Sequence, residues 1–487
     1  MIRRALALSL TLALSACGRG GDGTVDIAVV GDPAQLAARG TRLSPPGELV
    51  RGATMQGLVR LDEAGQIVPG LAERWIVTED GESYIFRIRN VDLPGGGQVT
   101  ARTVQQALNR ALARLDGTTL GLDLAPLRDV RAMTGRVIEI RLDSPMPGLL
   151  QLLAQPELGL AIAGKPAGPM TSARSGARSV VLSALPPEAR GLPAQPDWAE
   201  TVRPVRLTVG DARTVTREFT DGSYALVLGG TLATLPLADV GPLSRGTVRL
   251  DSALGLFGLD VLRADGFLAD AANREALAMA LDRGALLRPF NIAGWVATTR
   301  IVGPALPDDS GLVPERWGGM ELDARRASAA ARVARWKAAS GTPLELHIAL
   351  PDGPGSDTLF AGLTSQFAEI GVVLKRAAPG QRADLALRDR VARYAGARWF
   401  LNQFHCGMSA AICAPDADLL VQMAVGSRDP AQQASYLADA EKALAAHNGY
   451  IPIGAPIRWS LVRSGVVGFA ENAWAIHPLF PFTRAPM

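Results

Sequence analysis

The chain has 487 residues, too many for one hydrophobic core, so two or three lobes are expected. A hydrophobic fraction of 48% excludes a disordered chain. The 50 Lys and Arg against 47 Asp and Glu leave a net charge of +3, and no basic block marks a nucleic-acid face.

The first residues, 1–16, read as a secretory signal. Arg3 and Arg4 make a basic start, and Ala5 to Ala16 is an uncharged run. That run is too short to span a bilayer, which needs roughly 20 apolar residues. It ends in Leu14-Ser15-Ala16-Cys17, the pattern of a bacterial lipobox. Cys17 is therefore expected to be acylated and to anchor the chain to a membrane, with 17–24 as a tether. Each buried CH₂ of an acyl chain contributes about 0.8 kcal/mol, so two or three chains hold where one is marginal. The alternative is an ordinary cleaved signal that happens to end near a cysteine. Past the tether no stretch of apolar residues is long enough to cross a membrane.

Val25 to Val30, closed by Gly31-Asp32-Pro33, predicts a short strand. Tyr84 to Arg89 and Ile138 to Leu142 alternate apolar and polar residues, so each predicts a strand with one wet face. Between them Thr100 caps an expected helix from Ala101 to Leu115, with Val104, Ala107, Leu108 and Ala111 on one stripe. Together they form a small α/β subdomain. Pro and Gly clusters follow at Gly164 to Pro169 and Leu185 to Pro196. One long helix is expected from Ala271 to Leu287, capped by Asp270. A further α/β stretch comprises a helix at Ala324 to Ala339, a strand at Leu344 to Ile348, a helix carrying Phe360, Leu363, Phe367 and Ile370, and a strand from Val372. The last helix starts at Asp429 and Pro430 and runs to about Ala446.

No catalytic or metal constellation emerges. Lys165 is followed by Pro166, so no phosphate-cradling glycine loop exists there, and Gly95 to Gly97 reads as a turn. Gly407-Met408-Ser409-Ala410-Ala411 lacks the closing glycine of a hydrolase elbow. The histidines 347, 405, 447 and 477 stand too far apart in sequence for a helical metal pair, and no motif calls for a cofactor. In an oxidising compartment Cys406 and Cys413 can close a small loop, provided their Cα atoms come within about 7 Å. The alternative is two unpaired, packed thiols.

One set of segments carries a specific resemblance. Gly57-Leu58-Val59-Arg60-Leu61-Asp62, then Val68-Pro69-Gly70-Leu71-Ala72-Glu73-Arg74-Trp75, then Gly97-Gln98-Val99-Thr100-Ala101, resemble the family 5 solute-binding proteins of ABC transporters, the peptide and nickel group. Asn273 to Arg283, Phe367 to Gly371, Ile451-Pro452-Ile453 and Val467-Gly468-Phe469 continue the likeness.

The resemblance implies an α/β fold like that of periplasmic binding proteins of class II. Two lobes with mixed sheets would join at a hinge and close around a solute, and the closed form would dock as a monomer on an ABC permease in the cytoplasmic membrane. Lobe I would take 25–48, 165–245 and 456–487, an extra subdomain 49–164, and lobe II 246–455.

By family position the ligand-binding residues would be Asp32, Met55, Phe257, Asp260, Trp399, Phe404 and His405. Peptide receptors of this family pair the ligand's amino group with an aspartate in the segment matching Trp399 to Ala414, whereas Arg390 to Pro415 here contains no acidic residue. An ammonium in a closed cleft needs a counter-charge. The segment therefore points to an anionic, amidated or neutral solute, with Arg393, Arg398 and His405 at hand; the alternative is that another segment supplies the acid, through Asp32 or Asp260. Two alternatives remain: a sensor, adaptor or chaperone lipoprotein of the same fold, and a cleft hydrolase.

Overall fold

The computed structural model describes residues 23–36, 40–92, 98–241, 246–304, 306–378, 380–408 and 411–485. The signal, Cys17 and Gly95 to Gly97 lie outside the described residues.

Each lobe is built on a mixed sheet with the same local plan. In the first, the apolar run Val25–Val30 lies between Val205–Gly210 and Leu226–Thr231, all parallel, and Ile457–Val462 is antiparallel beside them. The edges Met170–Arg174 and Ser179–Ala184 on one side and Val248–Ser252 on the other complete seven strands. In the second sheet Glu345–Ala349 lies between Val373–Arg376 and Leu385–Val391, all parallel, followed by the antiparallel Gly255–Val261 and Tyr450–Gly454. Strands buried on both faces need near-continuous apolar residues, as in Val25–Val30 and Tyr450–Gly454.

The strand Val248–Ser252 falls in the range expected for lobe II but pairs with Ile457–Val462 in the first sheet. The crossing between lobes therefore lies at Ala253–Leu254 instead of near residue 246. The return crossing is at Ala455–Pro456, between Tyr450–Gly454 and Ile457–Val462. One antiparallel ribbon, 248–261 against 450–462, thus threads both sheets.

The subdomain is a four-stranded antiparallel sheet in the order 72–77, 83–88, 137–142, 127–132. The alternation expected of its strands holds, with Tyr84, Phe86, Ile88, Ile138, Ile140 and Leu142 buried. Thr100 caps the helix Ala101–Ala113 through a reciprocal bond with Thr103, and Val104, Ala107, Leu108 and Ala111 face the sheet. Ala72–Val77 and Leu127–Ala132 were not anticipated; both carry charges and half-exposed residues that blur their period.

The single helix expected at 271–287 is two. Ala271–Ala280 ends where Leu281 turns extended (φ −78°, ψ 119°), and Asp282 caps Arg283–Leu287 by accepting from the Ala285 N–H at 2.9 Å. The Gln366 side chain holds the break, its Oε1 accepting from Asp282 N at 2.8 Å and its Nε2 donating to Asp282 O at 3.1 Å. A backbone bonded sideways cannot continue its own helix.

Trp459 is fully enclosed in the first sheet, its indole N–H donating to Thr231 O at 3.0 Å. Its ring fills the space above Gly230, where a Cβ would overlap it. Gly230→Ala should therefore lower stability by about 1–3 kcal/mol through overpacking, read as a lower urea midpoint with unchanged secondary structure.

Candidate ligand-binding site

The first sheet reverses its direction of connection between Val25–Val30 and Leu226–Thr231. Ligands of open α/β sheets bind outside the carboxyl ends of the strands at such a switch point. A cavity of about 120 Å³ opens there, against Val29, Leu228 and Gly229. The helix Pro45–Thr54 flanks it. Ser44 caps that helix by accepting from the Gly47 N–H at 3.2 Å, and prolines occupy its first positions. Leu49, Met55 and Gln56 line one wall, Arg60, Leu61 and Phe480 another, and Gln155 and Pro156 from the subdomain a third.

Glu48, in the first turn of the helix, also lines the cavity and faces the second lobe. There Arg393 Nη2 pairs with Glu48 at 2.5 Å and with the buried Glu157 at 2.8 Å. Arg393 Nη1 donates to Gln155 Oε1 at 3.2 Å, and Gln155 Nε2 donates back to Arg393 O at 2.9 Å. Burial opposes the guanidinium charge, but the two carboxylates together hold its pKa above the ordinary value. Burial raises the Glu48 pKa; Arg393 opposes that rise and the neighbouring Glu157 adds to it. Glu48 is therefore protonated more readily than a free glutamate.

A second cluster joins the subdomain to the same lobe. Asp123, 1% exposed, accepts from Asn402 Nδ2 at 2.7 Å and from the Tyr394 hydroxyl at 3.3 Å, and its backbone carbonyl accepts from Arg398. Burial pushes the Asp123 pKa up to about 7, against the Arg398 charge and the Asn402 hydrogen bond. Ser144 Oγ donates to Val425 O at 2.6 Å, and the Tyr394 ring lies against Gly148, where a Cβ would stand 2.5 Å from it. Around these bonds Leu149, Leu152 and Leu153 share one apolar core with Trp399, Phe400 and Phe404. These contacts join the first lobe and its subdomain directly to the second lobe.

Of the residues expected at the ligand, only Met55 lines the cavity. Asp32 is exposed, its carboxylate accepting from the Ala34 N–H at 2.9 Å in a local turn. Phe257 is enclosed on the helix-covered face of the second sheet, edge-on to Trp295 at 5.6 Å. Asp260 pairs with Arg388 at 2.7 Å, and the Arg388 guanidinium lies 4.6 Å from the Phe404 ring centre. Burial raises the Asp260 pKa while Arg388 opposes the rise. Trp399 packs edge-on to Phe400 at 5.0 Å within the core between subdomain and lobe, and Phe404 rests on Tyr450 at 4.9 Å.

His405 Nδ1 accepts from the Gly407 N–H at 3.1 Å, and its Nε2 stands 3.8 Å from Asp418. Cys406 and Cys413 are joined as a disulfide, Cα atoms 5.1 Å apart. Arg393 and Arg398, expected to be available to an anionic solute, are engaged between the lobes. Among the described residues no group of three His, Cys, Asp or Glu is placed to hold a metal ion.

Arg393→Met would leave the half-buried Glu48 and the buried Glu157 without their cation, which costs about 3 kcal/mol. Small-angle scattering should show the variant shifted to a more open form, and adding Glu48→Gln and Glu157→Gln should restore closure. The Asp123 carboxyl, raised when folded, stabilises the closed structure fully below the ordinary carboxylate range; that contribution fades as pH rises toward 7. The stability of Asp123→Asn relative to the native chain should therefore increase between pH 4 and pH 7.5, measured by urea denaturation.

Comparison with known proteins agrees with this geometry. The profile of the bacterial extracellular solute-binding proteins, family 5 Middle, matches residues 66–400. The oligopeptide-binding protein OppA of Bacillus subtilis is 27% identical over 178 residues, 31% of this chain and 32% of that protein. The curated relatives are thus matched over a third of their length or less. The structure of Haemophilus influenzae OppA in complex with RPPGFSPFR superposes with a TM-score of 0.78 at 17% identity, covering 95% of this chain and 99% of that one. The Escherichia coli murein tripeptide binding protein MppA gives 0.77 at 18% identity, covering 95% and 98%. The mixed α/β architecture is that of periplasmic binding proteins, and the chain belongs to the bacterial extracellular solute-binding proteins of family 5.

Proposed function

We propose that this chain is a solute receptor of an ABC importer, lipid-anchored through Cys17 outside the cytoplasmic membrane, and that the cavity beside Met55 is where its solute rests. The observation that carries this reading is the cavity at the switch point of the first sheet, lined by Glu48, which pairs with Arg393 of the second lobe. The match to an oligopeptide-binding protein favours a peptide-like solute. The cavity volume favours a small one: about 120 Å³ is below the 300 Å³ or more typical of drug-sized pockets. A single small molecule, or one end group of a larger one, fits this cavity. No catalytic role is proposed.

One observation favours the second reading, a sensor or adaptor of the same fold. Arg393 of the second lobe pairs directly with Glu48 and Glu157 of the first lobe and its subdomain. Direct pairing between lobes can hold one fixed surface for a partner.

Native mass spectrometry of the protein purified from its own periplasm tests the first reading. A stoichiometric small-molecule adduct is expected, and Leu49→Trp, which fills the cavity, should remove it. A protein free of adduct whose deletion leaves uptake of every tested peptide unchanged would favour the second. Cys17→Ser should move the chain from the membrane fraction to the soluble one, with loss of the acyl mass at its N-terminus.

A further inference from the structure

The wall of the cavity formed by Arg60 and Phe480 carries an unusual charge arrangement. Arg60 is the middle residue of the strand Val59–Leu61; it is half-buried between the buried Val59 and Leu61, and it lines the cavity. Its guanidinium lies 5.9 Å from the Phe480 ring centre. Arg190 reaches the same ring at 4.8 Å from the turn Glu188–Arg190, and also lies 5.1 Å from the Trp198 ring centre. Arg89 follows the strand Ser83–Ile88, its Nε donating to Gly70 O at 3.0 Å, and Arg190 Nε donates likewise to Leu185 O at 3.0 Å.

Among the described residues, none of the three guanidinium groups forms an ion pair. The nearby Glu63 is engaged by Arg484 at 3.2 Å and Glu73 by Arg87 at 2.7 Å. Burial and the charges of Arg60 and Arg89 hold the Arg190 pKa below its ordinary value, and burial does the same for Arg60. Like charges gathered in a partly desolvated place repel one another. Anchoring each Nε to a carbonyl leaves the forked end of Arg89 and Arg190 for an acceptor, and the fork matches the two oxygens of a carboxylate or phosphate. The aromatic rings fix the plane of Arg190 and give Arg60 an apolar floor.

We propose that Arg60, Arg89 and Arg190 form an anion-binding subsite beside Phe480, at the edge of the cavity that Arg60 lines, which takes the carboxylate or phosphate group of the solute. The proposal deepens the receptor reading and rests on it for the identity of the cavity. It places the anion-recognising charge in the first lobe, on arginines of the subdomain and the 185–191 loop, and not on Arg393 or Arg398.

Calorimetry of the whole chain at low ionic strength with inorganic phosphate and, separately, with citrate tests it. Saturable binding of at least one probe is expected, weakened ten-fold or more by Arg60→Met and unaffected by Arg102→Met, which alters an exposed helix position. Arg60→Lys, which keeps the charge but not the fork, should weaken it less than Arg60→Met and guards against misfolding of the latter. Preference for phosphate identifies a phosphate-bearing group, and preference for citrate a carboxylate. Absence of binding by both probes, or equal weakening by Arg102→Met, overturns the subsite. If the receptor reading alone fails, the anion still binds while mass spectra show no solute; if the subsite alone fails, the solute adduct persists without anion binding.

Discussion

The antiparallel ribbon of 248–261 against 450–462 is the constraint on which the rest of the molecule depends. Its two strands are hydrogen-bonded members of both sheets, so neither lobe can be completed without the other's connection. Where the ribbon passes between lobes, at Ala253–Leu254 and Ala455–Pro456, the pairing lapses for a few residues only. Those residues take up any rotation of one lobe against the other. On either side the geometry is stiffened. Arg458 of the first sheet pairs with Asp389 of the second at 2.7 Å, and the buried Asp251 accepts from the Asn472 N–H at 2.8 Å and meets His477 at 3.0 Å. Motion is thus confined to a narrow axis, and the contacts far from that axis decide whether the lobes stay shut.

Those distant contacts are of two physical kinds. The apolar core around Leu152, Trp399 and Phe400 supplies non-directional attraction, while Arg393 and Asp123 supply direction. A buried guanidinium shared by two carboxylates contributes little net stability against a hydrophobic substitute, but a partner missing from it is expensive. The arrangement therefore penalises misaligned closure more than it rewards closure itself. The same helix that supplies Glu48 to this contact supplies Leu49 to the cavity and ends at Met55, about two turns on, so alignment of the lobes and shape of the cavity are set together.

Much of the fold was legible because it rests on short-range periodicity. Tyr84, Phe86 and Ile88 announce a strand by alternation, and Thr100 announces a helix by its side-chain oxygen. The break at Leu281 was not, because the group that enforces it, Gln366, lies far along the chain. The candidate site was less legible for a related reason. Family position pointed to Met55, which lines the cavity, and to Trp399 and Phe404, which pack between subdomain and lobe; sequence alone does not separate a ligand platform from a packing surface. Nothing in the sequence sets Glu48 or Arg60 apart from other charged residues. Their importance comes from what the tertiary fold sets opposite them, Arg393 in one case and Phe480 in the other.

The first sheet also has a consequence in time. Val25–Val30 waits for Val205–Gly210 and Leu226–Thr231 to pair with it, and Leu226–Thr231 waits in turn for Ile457–Val462. The apolar face of these strands is then covered by Leu479 and Phe482, both essentially inaccessible to solvent. The earliest strand of the sheet thus reaches its final surroundings only when the last residues described are present. Contacts so distant in sequence close slowly, since loop entropy is lost before they form. Completion of the first lobe is consequently a late event in folding, whichever local elements have formed before it.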